Sequence, residues 1–218
     1  MAASPAYIGN YRTEQLALVP DFAARPRILW RAPSDTAIRG SRIHALAYAN
    51  STGGTRTVDL MLGKVVTKGA DMGAPAITGL NAITRSAGSF LTDGWRIGQR
   101  LYMQGATTVA NDAFTIVTAV AAGQLTFAAA TFSVNEALPT TIELIRATQL
   151  HSTNVAVSSG FTDGSPSVSG LNNSMMPALD QSPGRFLTLG ANELLLARIT
   201  AAAAAGTALE ITAFGGDY

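Results

Sequence analysis

Between Arg56 and Val66 the chain reads RTVDLMLGKVV, which places Val58, Leu60 and Leu62 on one face of an extended strand and Thr57, Asp59 and Met61 on the other. Short runs of this kind recur to the end of the sequence, each cut by glycine, asparagine or proline. Arg27–Arg31, Ser41–Asn50, Asn81–Ser86, Gln99–Gln104, Ala113–Ala121, Gln124–Ala128, Thr141–Arg146, His151–Ser159, Arg185–Leu189, Glu193–Thr200 and Ala208–Phe214 all read as strands. Ser51-Thr-Gly-Gly54 between two of them predicts a hairpin, because paired glycines supply the positive φ of tight turns. The five alanines from Ala201, closed by Gly206, favour helix by propensity but are too few to hold one alone, and the flanking residues favour strand. An all-β fold is expected, with helix below about 15% against an average of about 30–35%.

The pattern changes style twice, near residues 70 and 148, which divides the chain into three parts. Residues 1–24 hold Pro5, Pro20, Tyr7, Tyr11 and Phe22 without clear periodicity and read either as an arm lying on a neighbouring subunit or as a frayed terminus. Residues 25–69 and 149–218 form a discontinuous β-sandwich. Residues 70–148 carry five short strands at close spacing, the mark of a small β-barrel inserted into the sandwich, with Thr67–Pro75 as the linker leading in. Phe161–Asn173 and the stretch bracketed by Pro177 and Pro183 read as loops.

Only 13% of the 218 residues are charged, about half the ~25% usual in soluble domains, while 47% are hydrophobic. A surface so poor in charge suggests cover by other subunits. The net charge of +1 and the scattered arginines give no basic face for nucleic acid. There are no cysteines, which removes disulfides, thiolate metal sites and cysteine nucleophiles. The first residues, MAASPAY, do not read as a signal peptide, and no apolar run approaches the roughly 20 residues of a membrane span.

Chemistry-bearing motifs are sparse. His44 and His151 lie far apart in predicted strands and lack metal-ligand spacing, so they read as structural. The carboxylates occur singly, with no Asp-x-Asp cluster for calcium and nothing that marks a pair for glycoside hydrolysis. No Gly-x-Ser-x-Gly elbow occurs, and the glycine-rich stretch GFTDGSPSVSG (160–170) lacks the lysine and the strand-to-helix setting of a phosphate loop. Trp30, Tyr48, Phe90, Trp95 and Tyr102 fit either a sugar-stacking platform or core packing, with core favoured. No catalytic, cofactor or metal residue is assigned.

SRIHALAYANSTGGTRTVDLMLGK (41–64) and LTLGANELLLARITAAAAAGTALEITAFGGDY (187–218) resemble the jelly-roll modules of tailed-bacteriophage structural proteins. GSFLTDGWRIGQRLYMQGATTVANDAFTIVTAVAAGQLTFA (88–128) is similar to a small KOW-like barrel of phage head and tail accessory proteins, departing from it at Gln99, where that pattern carries Asp. The resemblance implies a jelly-roll-like β-sandwich with an inserted barrel and a non-enzymatic role in the virion, assembled in the host bacterial cytoplasm. A head decoration (cement) protein comes first, a neck or tail component second. A carbohydrate- or receptor-binding module is the alternative of another class, because jelly rolls also serve as lectins. The partners expected are further copies of the chain, most simply as a trimer or ring, and other virion proteins such as the major capsid protein. Tyr7, Tyr11, Phe214 and Tyr218 are the candidate subunit-interface residues, the last two in the closing Phe214-Gly-Gly-Asp-Tyr218, where the glycines are expected to turn the backbone sharply.

Overall fold

The structure is a computed structural model that describes residues 10–18, 25–34, 40–160, 168–169, 186–201 and 207–218. Tyr7, most of the loops expected over 161–173 and around Pro177 and Pro183, and alanines 202–205 lie outside the described residues. The protein is all-β, with 55% strand and 4% helix. In chain order the strands are β1 (Asn10–Leu18), β2 (Arg27–Arg31), β3 (Gly40–Asn50), β4 (Arg56–Lys68), β5 (Ala76–Thr78), β6 (Ala82–Thr84), β7 (Arg100–Gln104) and β8 (Phe114–Ile116). They continue with β9 (Ala119–Ala121), β10 (Gln124–Thr126), β11 (Glu143–Val155), β12 (Val168–Ser169), β13 (Leu187–Gly190), β14 (Glu193–Ile199) and β15 (Leu209–Asp217). The chain divides into two compact units, residues 1–62 with 149–218, and residues 63–148.

The first unit is a sandwich. One sheet runs β1-β15-β3-β12, with β13 also on β3; the other runs β2-β14-β4-β11. Consecutive strands β1 to β4 alternate between the sheets, and so do β13 to β15, a jelly-roll-like crossing. The alternation puts every second side chain of each strand into a shared interior. Trp30, Leu46, Tyr48, Leu60, Leu195, Leu209 and Ile211 form its centre, and Leu62 packs against it as the strand period predicts.

Two readings of this unit are corrected. Ser51–Gly54 does not close a hairpin, since β3 and β4 lie in different sheets and do not pair. Neither Gly53 nor Gly54 takes a positive φ. The corner is built by buried Asn50, whose Nδ2 donates to the carbonyls of Gly54, Val155 and Ala156 and whose Oδ1 accepts from the N–H and hydroxyl of Thr52. A side chain that ties the turn to the end of β11 carries the chain across the sandwich instead of back along its own sheet. The second correction concerns residues 10–18 of the supposed arm. They form β1, which pairs antiparallel with β15 over nine residues, from Asn10↔Asp217 to Leu18↔Leu209. The inward set is Arg12, Glu14, Leu16 and Leu18, with Leu18 fully buried. Its polar half hides the period. The Arg12 guanidinium lies 4.2 Å over the Trp30 ring, donates to the Arg31 carbonyl at 2.5 Å and stands 3.6 Å from Asp217, so an arginine does the work of an apolar residue.

The second unit has its own core of Met72, Phe90, Trp95, Leu101, Phe127 and Leu144 with their neighbours. A four-stranded sheet, β5-β6-β10-β9, covers one part of it, and the order β4-β11-β7-β8 another. Among the described residues the strands trace open paths and not a closed ring. The expected barrel is therefore open, since β5, β6, β9 and β10 span three residues each, too short for the tilt and stagger that close a barrel. The Gly123 turn does form the expected hairpin, with Ala121↔Gln124 at its head. The unit begins at Gly63, ahead of the expected residue 70. β4 and β11, each of 13 residues, contribute one half to each unit, and the stretch read as a linker brings buried Thr67 and Met72 to the second core.

Candidate functional site

The outer face of the β1-β15-β3 sheet is where two of the sequence-predicted interface residues meet. The pairing sets out its rows as Tyr11, Gly216 and Arg42; Thr13, Phe214 and Ala45; Gln15, Thr212 and Ala47; Ala17, Glu210 and Ala49. Tyr11 is 80% exposed and Phe214 44%. They stand on neighbouring strands two residues apart in register, so their rings sit diagonally on one surface. Among the described residues of these rows, charge occurs only at the two ends, at Glu210 and Arg42. The centre is uncharged, with Thr13, Gln15 and Thr212 beside Phe214, Ala45 and Ala47, and it is shallow on β3, where the alanines rise little above the sheet.

Tyr218 differs from that pair. Its ring packs 4.7 Å from the Arg42 guanidinium, which lies as close to Phe186, while its N–H donates to the Gly40 carbonyl at 3.1 Å. Both contacts lie within its own chain. Gly215 and Gly216 do not turn the backbone, as expected of them; both continue β15. Gly215 is required by closeness, since a Cβ there would meet the Arg42 carbonyl at 2.2 Å and the Trp30 ring at 3.0 Å. A bulge beside it, between Phe214 and Gly215, turns His44 outward onto the edge of Phe186.

Other polar groups among the described residues tie strands and loops together. Buried Asp59 on β4 takes Arg198 at 2.8 Å and accepts from Ser152 and Gln149, pinning β14 and β11 to β4. In the second unit Arg85 donates to Asp93 at 2.6 Å and to the Asp71 carbonyl at 2.9 Å, and Thr67 joins Asp93 to the indole N–H of Trp95. Burial pushes the His151 imidazole below its ordinary value, against the opposing pull of Asp59. No group of three or more histidine, aspartate or glutamate side chains that could hold a metal occurs among the described residues. Trp30, Tyr48, Phe90, Trp95 and Tyr102 are all buried, at 4% exposure or less, so none of them offers a ring to a sugar.

Two polar groups carry tests of this assignment. Among the described residues the buried Tyr48 hydroxyl has no hydrogen-bond partner, and burial drives its phenol far up from the ordinary value. Tyr48→Phe should stabilise the protein by about 1 kcal/mol, the cost of an unmet hydroxyl, read as a rise in chemical-denaturation midpoint. A loss of stability contradicts the hydroxyl's isolation. Glu136 accepts from the Thr108 N–H at 3.0 Å, the Thr108 hydroxyl at 3.0 Å and the buried Asn111 amide at 2.7 Å. Desolvation works against its charge, but these donors outweigh it and hold the carboxyl below its ordinary value. The resulting stability is fully present above the unfolded value and is lost as pH falls through the folded one. Glu136→Gln should flatten the acid limb of the stability profile; an acid limb parallel to wild type would show that the loop does not depend on the charge.

Sequence reasoning missed Arg42 and the alanines of β3. The alternation Ala45, Ala47, Ala49 was visible, but nothing local says which face of a two-faced strand is left open. No family model, no curated protein and no solved structure matches this chain.

Proposed function

We propose that the chain is a non-enzymatic structural subunit of a tailed-bacteriophage particle, and within that class a head decoration (cement) protein bound to further copies of itself and to other virion proteins such as the major capsid protein. The observation that carries this reading is the charge-poor outer face bearing Tyr11 and Phe214, on a chain with 13% charged residues. Large rings on a flat surface of small residues suit burial against a partner, where aromatics dominate the contact energy. Of the aromatic residues considered as a sugar platform, Trp30, Tyr48, Phe90 and Trp95 are committed to two interior cores and Tyr102 is buried, which favours a structural role over sugar stacking. The mechanism is mechanical: modest contacts repeated by symmetry hold a shell more firmly than any one contact does.

The test is attachment to particles that lack this chain. Tyr11→Asp with Phe214→Asp should weaken binding about tenfold or more, since each replaces an exposed anchor ring by a charge that must be desolvated. The melting temperature should hold, because both side chains point away from the core. Undiminished binding by the folded double variant excludes this face as the attachment surface.

A further inference from the structure

We propose that β1, which no described strand pairs on the side away from β15, pairs there with the β1 of a second copy of the chain, antiparallel, about a twofold axis through Thr13. Sheet edges are templates for further strands, and proteins blunt them with short strands, bulges, proline or lysine. Most other edges among the described residues are blunted by length or irregularity. β12 has two residues; β5, β8 and β9 have three; β13 has four. β2 has five, and its pairing with β14 is broken by a register shift. β1 is long, nine residues in unbroken register with β15, and NYRTEQLAL contains neither proline nor lysine; β11 beyond Ala147 is the other long stretch without a described strand on its outer side, and TQLHSTNV lacks the opposite charges that β1 can offer to a copy of itself.

The sequence of β1 selects the occupant. A twofold perpendicular to the sheet keeps outer faces outer, so a residue must oppose one of the same parity on the partner strand. Of the registers that satisfy this, the one centred on Thr13 places Arg12 opposite Glu14 in both directions. Centring on Arg12 or on Glu14 sets like charges directly against each other, which is unfavourable. Both charges face the inner side, a placement that can also guard an edge. Here Arg12 is already seated on Trp30 and against Asp217, whereas the Glu14 side chain is 42% exposed and its carboxylate is 3.7 Å from Arg12 Nε, beyond hydrogen-bond length. A second Arg12 across the edge completes it. On the outer face the same register sets Tyr11 opposite Gln15, which continues the uncharged face across two copies. The contact is isologous, so it builds a dimer, or a ring of such dimers, where the sequence led to the expectation of a trimer or ring.

This inference rests on reading the chain as an assembling subunit, and its test is independent of the particle. With no native cysteine, every single-cysteine variant carries one thiol. Thr13→Cys brings its own thiol opposite its copy and should cross-link to a dimer on mild oxidation. In Gln15→Cys the two thiols stand about 13 Å apart along the strand, past the ~7 Å limit for a disulfide, and should not cross-link alone. Mixed Tyr11→Cys and Gln15→Cys chains should cross-link to each other. Glu14→Arg should weaken association about tenfold in sedimentation equilibrium, with the melting temperature unchanged. Equal cross-linking of Thr13→Cys and Gln15→Cys, or a wild-type chain that sediments as monomer at all concentrations, overturns the edge pairing. A monomer that still attaches to particles overturns only this inference; a Thr13-linked dimer that attaches to none supports it and counts against the particle role.

Discussion

Deleting residues 2–18 should abolish cooperative unfolding of the sandwich unit or lower its stability by about 5 kcal/mol or more, a large share of the roughly 5–15 kcal/mol that holds a domain together. The deletion removes Leu18, fully buried, for which loss of the side chain alone costs about 2–5 kcal/mol. It also removes the nine-residue ladder on β15 and the arginine that covers Trp30 and meets Asp217. β15 then becomes an edge, with Ile211 and Ala213 partly uncovered. Thermal melts followed by near-ultraviolet circular dichroism give the answer. A truncated chain that melts with wild-type cooperativity and midpoint would mean that β1 lies on the sandwich without supporting it, and the segment would revert to an arm.

Trp95→Ala should destabilise the second unit by about 3–5 kcal/mol, the usual cost of emptying a fully buried tryptophan site. The fully buried indole belongs to a core shared with Phe90, Leu101, Met103, Phe127 and Phe132, which would have to move to close the gap. Its N–H also donates to Thr67 at 3.0 Å, and Thr67 in turn donates to Asp93, the partner of Arg85. Removing the ring leaves that buried hydroxyl short of a neighbour. Trp95→Phe keeps most of the volume and loses the hydrogen bond, so it should cost clearly less. Two tryptophans sit in different cores, so Trp30 fluorescence in Trp95→Ala reports the sandwich unit by itself. Equal losses for the alanine and phenylalanine variants would place the value of Trp95 in its hydrogen bond and not in its packing.

Strands with a clean two-residue period could be read directly from the chain. β2, β3, β4 and β14 fall within a residue or two of where alternation places them, because one buried face forces the period into the sequence. Three kinds of information were not local. The period of β1 was hidden because Arg12 and Glu14 occupy inward positions, and an arginine is acceptable there only beside Trp30 and Asp217. The course of the chain after Asn50 was hidden because the contacts that decide it reach β11, 105 residues away. The boundary at Gly63 was hidden because β4 crosses it without any change in strand character. For the candidate surface, composition pointed to covered area, and Tyr11 and Phe214 were identified as single residues. Their meeting on one face depends on the pairing of residue 13 with residue 214, which no window of sequence contains.

The proposed particle role is tested by the chain's copy number in purified phage particles, by quantitative mass spectrometry against the major capsid protein. A decoration role predicts a fixed ratio set by the shell's symmetry, on the order of hundreds of copies per particle, while a neck or tail role predicts a single small ring. A chain found only in the soluble fraction, with none in particles purified from the same cells, contradicts the account.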